Sequence, residues 1–310
     1  MDISGKTVVV TGATSGLGQA AAIDFAKSGA NVVIVGRDPQ RARETAERAG
    51  TGGGEATIVV ADLSTRAGVG AAAAAILERT RKVDVLVNNA GGTFPAIGFT
   101  SDGLERTFAL NTLAAYLLER ELHGSLREAK GRVVNVATGL LDWFPVDVAA
   151  LVSGRGFTSM GQYGRSKLAS VMMTVEQANR FAPEGLTFVA LHPGVIMGTR
   201  FGGGQSEIAQ AIAGPLMRAV GFACTIEEAV RRFRVACFEN LPSGTYLVKG
   251  KPAPLPKQAR DAAVRQEVVA LLERLSLQER IVDRLLENAV TAPPARARSS
   301  KPSSPHVSIH

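Results

Sequence analysis

Cysteine is nearly absent: Cys224 and Cys237 are the only two in 310 residues. They show no CxxC spacing and have no neighbouring histidines. That excludes a disulfide-stapled scaffold and a zinc site, and fits two buried thiols in a reducing cytosol. Aromatic residues make up 5% of the chain, with one tryptophan and three tyrosines. None lies among residues 251–310, where 10 basic and 6 acidic side chains supply +4 of the +7 net charge. A basic end without interleaved aromatics is not a nucleic-acid-binding stripe. No apolar run is long enough to span a bilayer. Met1-Asp2-Ile3-Ser4-Gly5-Lys6 leads straight into the first apolar run, so no signal peptide is expected and the location reads as cytoplasmic.

What is present is the balance of an ordinary globular protein, 45% hydrophobic and 20% charged. From Lys6 to Leu191, short β-branched runs alternate with helical segments. The runs are Val8–Val10, Val32–Val35, Ile58–Val60, Val83–Val87, Val133–Val136 and Phe188–Leu191. Near-continuous apolar runs imply strands covered on both faces, hence a parallel sheet. Segments such as Arg41–Ala49 and Ala71–Arg79 suit right-handed crossover helices. The fold class is a doubly wound α/β sheet.

The stretch Thr11-Gly12-Ala13-Thr14-Ser15-Gly16-Leu17-Gly18 joins the first strand to a helix. Helix-start N–H groups are unpaired and the dipole there favours an anion, while glycines let the backbone approach a pyrophosphate. After the second strand comes Gly36-Arg37-Asp38-Pro39. An arginine at this strand's end suits a ribose 2′-phosphate, so Arg37 points to NADP(H) over NAD(H). A solvated arginine at a basic helix start, with Asp38 as cap and Pro39 at N1, reads the same residues differently. Asp62-Leu63 follows the third strand, as an adenine contact or a helix-start signal.

With Asn88-Asn89-Ala90-Gly91 after the fourth strand, Tyr163-x-x-x-Lys167 and Pro193-Gly194, four motifs stand in order. Over residues 4–250 the chain resembles the short-chain dehydrogenase/reductase family. Within it, the stretch Tyr163–Ser170 and Leu191-His192-Pro193-Gly194-Val195 are similar to the retinol dehydrogenase-like branch, whose neighbours are the protochlorophyllide reductases. The resemblance implies a Rossmann-type, mainly parallel seven-stranded sheet with helices on both faces.

It also implies roles. Tyr163 and Lys167 share one helix face, and a nearby ammonium lowers a phenol's pKa, so Tyr163 is the expected acid/base. Lys167 is expected on the nicotinamide ribose. Thr138 stands where the family shows a serine, offering the same hydroxyl on a stiffer side chain; Ser153 and Ser159 are the fallback hydroxyls. Asn111, inside a helical-looking Leu104–Leu118, implies a proton relay to the lysine or a satisfied polar residue at a kink. Gly12, Thr14, Ser15, Gly16, Leu17, Gly18, Asn89, Ala90, Gly91, Pro193, Gly194 and Val195 are expected around the cofactor. The family's threonine after the proline is one residue late here, at Thr199.

Phe94, Trp143, Phe157 and Phe201 are candidate walls of an apolar substrate pocket, with Trp143 favoured. His192 has no metal partner in the sequence and reads as structural; no metal is expected. The domain is expected to span 1–290, with C-terminal helices over 258–290, the second starting at the capping box Ser276–Glu279. Residues 291–310, rich in Pro, Ser and Arg, read as a disordered tail. The expected activity is NADP(H)-dependent interconversion of a small apolar carbonyl compound and its alcohol, in a protein that a homo-oligomer would suit. The alternative is a catalytically weak cofactor-binding scaffold or sensor.

Overall fold

The structure is a computed structural model and describes residues 2–50, 53–139, 141–196 and 223–291. The β-branched runs form β1 (Thr7–Thr11), β2 (Asn31–Gly36), β3 (Ala56–Val60), β4 (Val85–Asn88), β5 (Arg132–Val136) and β6 (Thr187–His192). A two-residue parallel ladder pairs β7 (Val195–Ile196) with β8 (Ala223–Cys224), and β9 (Thr245–Val248) and β10 (Lys251–Pro252) follow.

The main sheet runs β10-β9-β6-β5-β4-β1-β2-β3. Every pairing in it is parallel except β9 with β10. It has eight strands where the family resemblance gave seven. The extra one is a two-residue edge, Lys251 opposite Val248 and Pro252 opposite Leu247, a place where a proline without an N–H is tolerated.

Chain order reverses between β1 and β4, and crevices for ligands open at such switch points, beyond the carboxyl ends of the strands. On one face, Val8, Val10, Ile34, Val87, Val134 and Leu191 pack with Ala21, Ala22 and Phe25 of α1 (Gly16–Lys27). The helix Ile226–Phe238 adds Phe233 and Ala236 to this cluster, and Phe25 meets Phe238 edge to face at 5.2 Å. Burying one such phenyl ring contributes about 2–3 kcal/mol. α2 (Pro39–Ala49) starts at Asp38, whose carboxylate accepts from Gln40 N and Arg41 N, with Pro39 in the first turn as expected. α3 (Arg66–Leu77) is capped by Thr65.

On the second face lie α4 (Arg106–Phe108), a π-helical turn (Ala109–Leu113), α5 (Ala114–Glu121), α6 (His123–Ala129), α7 (Val148–Ser153) and α8 (Ser159–Phe181). α8 buries almost every residue from Gly161 to Thr174, so its polar side chains there must find partners inside the protein.

Residues 1–273 form one compact unit and 274–310 a second. The helix Ala262–Thr291 begins at Asp261, which accepts from Ala263 N at 2.9 Å, and it continues through Ser276. The expected helix start at Ser276 is therefore absent: its leucine-rich flanks keep helical backbone on both sides. The tail, residues 292–310, lies outside the described residues, as do Leu140 and residues 197–222.

Candidate active site

The glycine-rich turn leaves β1 at the switch point. Gly12 has φ +65° and Gly16 φ +56°, left-handed values that suit glycine. A Cβ at Gly12 would lie 2.9 Å from Ala90 Cα, and one at Gly18 would overlap Asn89 Nδ2 and the Gly12 carbonyl. Thr11 closes the seam: its hydroxyl donates to Val87 O (3.2 Å) and accepts from Asn89 N (3.0 Å) and Ala90 N (2.9 Å). Asn89 Nδ2 donates to Thr11 O at 2.9 Å. These contacts hold Asn89, Ala90 and Gly91 against the turn.

Ser15 is the N-cap of α1, but its side chain makes no cap bond, and the first turn holds no acidic residue. The helix start therefore offers N–H groups and a positive dipole end to an anion. Thr14 lies over Gly36, where a Cβ would overlap its methyl group. Leu17 is half-buried against the core.

Arg37, just past β2, is exposed and makes no hydrogen bond or ion pair with any described residue. The adjacent acid is committed elsewhere, since Asp38 caps α2 and pairs with Arg41 at 3.4 Å. Asp62 accepts from Ser64 N at 2.9 Å, a local turn leading into α3, and Leu63 is buried.

Two polar side chains, Asn111 and Lys167, approach Gly91. A Cβ at Gly91 would lie 2.8 Å from Asn111 Oδ1 and 3.1 Å from Lys167 Nζ, so a larger residue there would push on both side chains. Asn111 sits in the π-helical turn, not in a continuous α-helix. Its side chain pairs with Gly92 in both directions, accepting from N at 2.8 Å and donating to O at 3.0 Å, and also donates to Ser166 Oγ at 2.9 Å. Its carbonyl accepts from Ser170 Oγ at 3.0 Å. The wider turn frees that carbonyl, which is how an asparagine fits inside a helical run.

Lys167 is buried and donates Nζ–H to Val136 O at 2.7 Å. Burial lowers its pKa to about 8. Tyr163, one turn earlier on α8, is also buried, and burial pushes its phenol above the ordinary tyrosine range. A side-chain hydrogen bond with Thr138 pulls the other way. Where an ammonium one turn away is expected to lower this phenol, burial is the dominant influence and acts upward. Thr138, two residues past β5, is itself fixed, because its carbonyl accepts from Tyr246 O–H at 3.4 Å. Ser153 is exposed and donates to Ala149 O, away from this group.

Beyond β6, Gly194 has φ +105°, and the Pro193 carbonyl accepts from Arg232 Nη1 at 2.6 Å. Val195 enters the ladder with Ala223. His192 is buried and kept neutral, its pKa lowered to about 4 by burial, then by Lys249 and Arg232.

Of the candidate walls, Phe94 is half-buried under the Arg106 guanidinium at 3.9 Å, and Phe157 is half-buried. Trp143 is 76% exposed and walls nothing among the described residues. The short 3-10 turn Leu141–Trp143 points Leu141 inward instead, and the neighbouring Phe144 packs on Gly164 and Gly161 beside Tyr163. Thr199 and Phe201 lie outside the described residues. Arg232 carries no signal of a site role in the sequence, whereas Phe144 stands among the aromatics of the variable stretch 140–160. Gly161 and Gly164 leave the room on α8 that its ring occupies.

A Rossmann sheet with a glycine-rich turn at its switch point, and a Tyr-x-x-x-Lys pair beside it, defines a nucleotide-dependent oxidoreductase fold. The chain belongs to the short-chain dehydrogenase family, whose model, described as short chain dehydrogenase, matches residues 6–208. A Streptomyces sp. (strain C5) protein named "Putative daunorubicin C-13 ketoreductase" is 36% identical over 264 residues, covering 84% of this chain and 89% of that protein. Retinol dehydrogenase 14 of Mus musculus is 33% identical over 282 residues, 85% of this chain and 84% of that one. A Beutenbergia cavernae structure, described as a "putative NAD(P) dependent gluconate 5-dehydrogenase" with bound NADP, is 29% identical with a TM-score of 0.62, covering 80% of this chain and 96% of that one. Among the described residues no helix is long and apolar enough to cross a membrane, and no group of three or more His, Cys, Asp or Glu is placed to hold a metal.

Proposed function

We propose that this protein uses NADP(H) to interconvert a lipophilic aldehyde or ketone and its alcohol, with Tyr163 as acid/base. Two neighbouring pairs support the reading: Tyr163 hydrogen-bonded to Thr138, and Lys167 with Asn111 beside Gly91, Lys167 being anchored on Val136 O two residues before Thr138. The chain's own groups suit the cofactor. The uncapped start of α1 takes the pyrophosphate, and the unpaired Arg37 takes a 2′-phosphate. Lys167 reaches the ribose hydroxyls, having two N–H donors beyond the one bound to Val136 O. Bound nicotinamide supplies or accepts the hydride.

In reduction, Tyr163 gives its phenolic proton to the carbonyl oxygen, and Thr138 orients that oxygen through its hydroxyl. Buried Lys167 has a pKa of about 8 and is poised to return a proton toward Tyr163 near neutral pH. The resemblance gives Asn111 a place in that relay. The apolar substrate class is supported by relatives named for a ketone and for retinol.

The test is oxidation of NADPH against NADH over a panel of apolar aldehydes, ketones and polycyclic quinones, in wild type, Tyr163→Phe and Arg37→Ala. NADPH-selective turnover is expected, lost by at least about 10²-fold in Tyr163→Phe. Arg37→Ala should raise KM for NADPH about tenfold and leave NADH unaffected. Full turnover in Tyr163→Phe would sink the mechanism. Tight NADPH binding with no turnover on any carbonyl would favour the scaffold reading, which the threonine at 138 motivates.

A further inference from the structure

The Pro193 carbonyl lies where β6 leaves the sheet, and two side chains from one neighbouring segment close on it. Arg232 Nη1 donates to it at 2.6 Å and the Cys224 thiol at 3.6 Å. Space there is tight: a Cβ at Gly194 would sit 2.5 Å from Arg232 Nη1 and 2.8 Å from Cys224 Sγ. The stem of Arg232 lies along the turn that ends β9, since a Cβ at Gly250 would be 3.1 Å from its Cγ. In that turn Lys249 N donates to His192 O at 2.9 Å. One arginine thus ties the ends of β6 and β9 to the helix Ile226–Phe238.

That helix is itself fixed at both ends. Thr225 and Glu228 form a reciprocal capping box, with bonds of 3.2 and 2.9 Å, and Arg132 donates Nη1–H to Ala236 O and Glu239 O at the far end. Ala229, Val230, Phe233, Ala236 and Cys237 bury its inner face, which leaves Arg232 on the flank facing the strand ends. A guanidinium held this way by packing and surrounding hydrogen bonds is preorganised.

We infer that Arg232 is a positioning residue for the nicotinamide end of the cofactor: by holding the Pro193–Gly194 peptide it sets where the Val195 main chain stands. This rests on the proposed cofactor use, in which Pro193, Gly194 and Val195 meet the nicotinamide carboxamide. Arg232 acts through backbone and touches no reacting atom.

The test uses full-length wild type, Arg232→Met, which keeps the stem and removes the donors, and Arg232→Lys, which keeps one charged donor. Dissociation constants are measured for NADPH, by its bound fluorescence, and for 2′,5′-ADP, the half-cofactor without nicotinamide. Arg232→Met is expected to weaken NADPH about tenfold, about 1.4 kcal/mol, while 2′,5′-ADP binding changes by less than about twofold. KM for NADPH should rise without a matching rise in KM for the carbonyl. Arg232→Lys should recover most of the loss, and it carries the test through the same pair of ligands if Arg232→Met does not fold. Equal weakening of both ligands would mean a merely structural role, and unchanged NADPH binding would mean none; either overturns the inference. Wild type that binds neither NADPH nor NADH would instead bring down the cofactor reading beneath it.

Discussion

Glu119→Gln should make this protein more stable above pH 8 and erase much of its pH dependence. Glu119 lies on α5, 3% exposed, behind the sheet. Its Oε1 accepts from Asn88 Nδ2 at 3.1 Å, in a chain that continues to Asn135 Oδ1 (2.9 Å) and from Asn135 Nδ2 to Thr174 Oγ1 (3.1 Å). Its Oε2 and the Oε1 of Gln177 have no hydrogen-bond partner among the described residues. Burial raises the carboxyl pKa from 4.5 to about 8, and the neighbouring amides only partly offset it. The folded state therefore holds a proton that the unfolded chain releases between those two values. Stabilisation present below pH 4.5 declines as pH rises and is gone above about 8. By linkage the whole span is worth at most about 5 kcal/mol, an upper bound because Glu119 lines a cavity and is not packed on every side. That cavity, of about 200 Å³, is lined by Tyr116, His123, Gln177 and Phe181 among others. A glutamine imitates the protonated acid, accepting from Asn88 while donating N–H toward Gln177. Urea unfolding at pH 5, 7 and 8.5 should give nearly constant stability for Glu119→Gln, with a gain of about 1–3 kcal/mol over wild type at pH 8.5. Parallel pH curves for the two proteins, or a variant weaker at pH 8.5, would refute the reasoning.

Two further substitutions separate stability from chemistry. Burial depresses Lys167 to about 8, below the free lysine value, so the ammonium costs stability that is recovered as pH rises above 8. Lys167→Met should therefore raise the melting temperature of the cofactor-free protein at pH 7 by about 2–4 °C while abolishing turnover; a lower melting temperature would contradict this. Thr138→Ser should keep turnover within about threefold, whereas Thr138→Val should lose about 10²-fold with NADPH affinity unchanged, as steady-state kinetics and fluorescence titration would read. Equal activity in serine, threonine and valine forms would remove Thr138 from the mechanism.

The parts of this molecule legible in its sequence are those where one residue type answers one backbone demand. Valine and isoleucine runs can be buried on both faces only as inner strands, and β1, β2 and β4 to β6 lie where those runs stand. Gly12 and Gly16 mark left-handed backbone, and Asp38-Pro39 marks a helix start. Where one pattern serves two contexts, reading fails. Thr225-Ile226-Glu227-Glu228 and Ser276-Leu277-Gln278-Glu279 have the same capping-box form, yet only the first begins a helix. The difference lies in the flanks: Thr225 follows the β8 ladder, whereas Ser276 follows Leu271–Leu275 in a helix already under way. Arg232 was invisible for a related reason, because a charged residue on an amphipathic helix reads as a solvated face until the strand end beside it is known. Tyr163 and Lys167 add a third case. Their spacing correctly puts them one turn apart on α8, but spacing carries no information about burial. In the folded protein burial acts on both at once, raising the phenol and lowering the ammonium, so the charge states of the two are set by the depth of α8 in the core more than by their spacing.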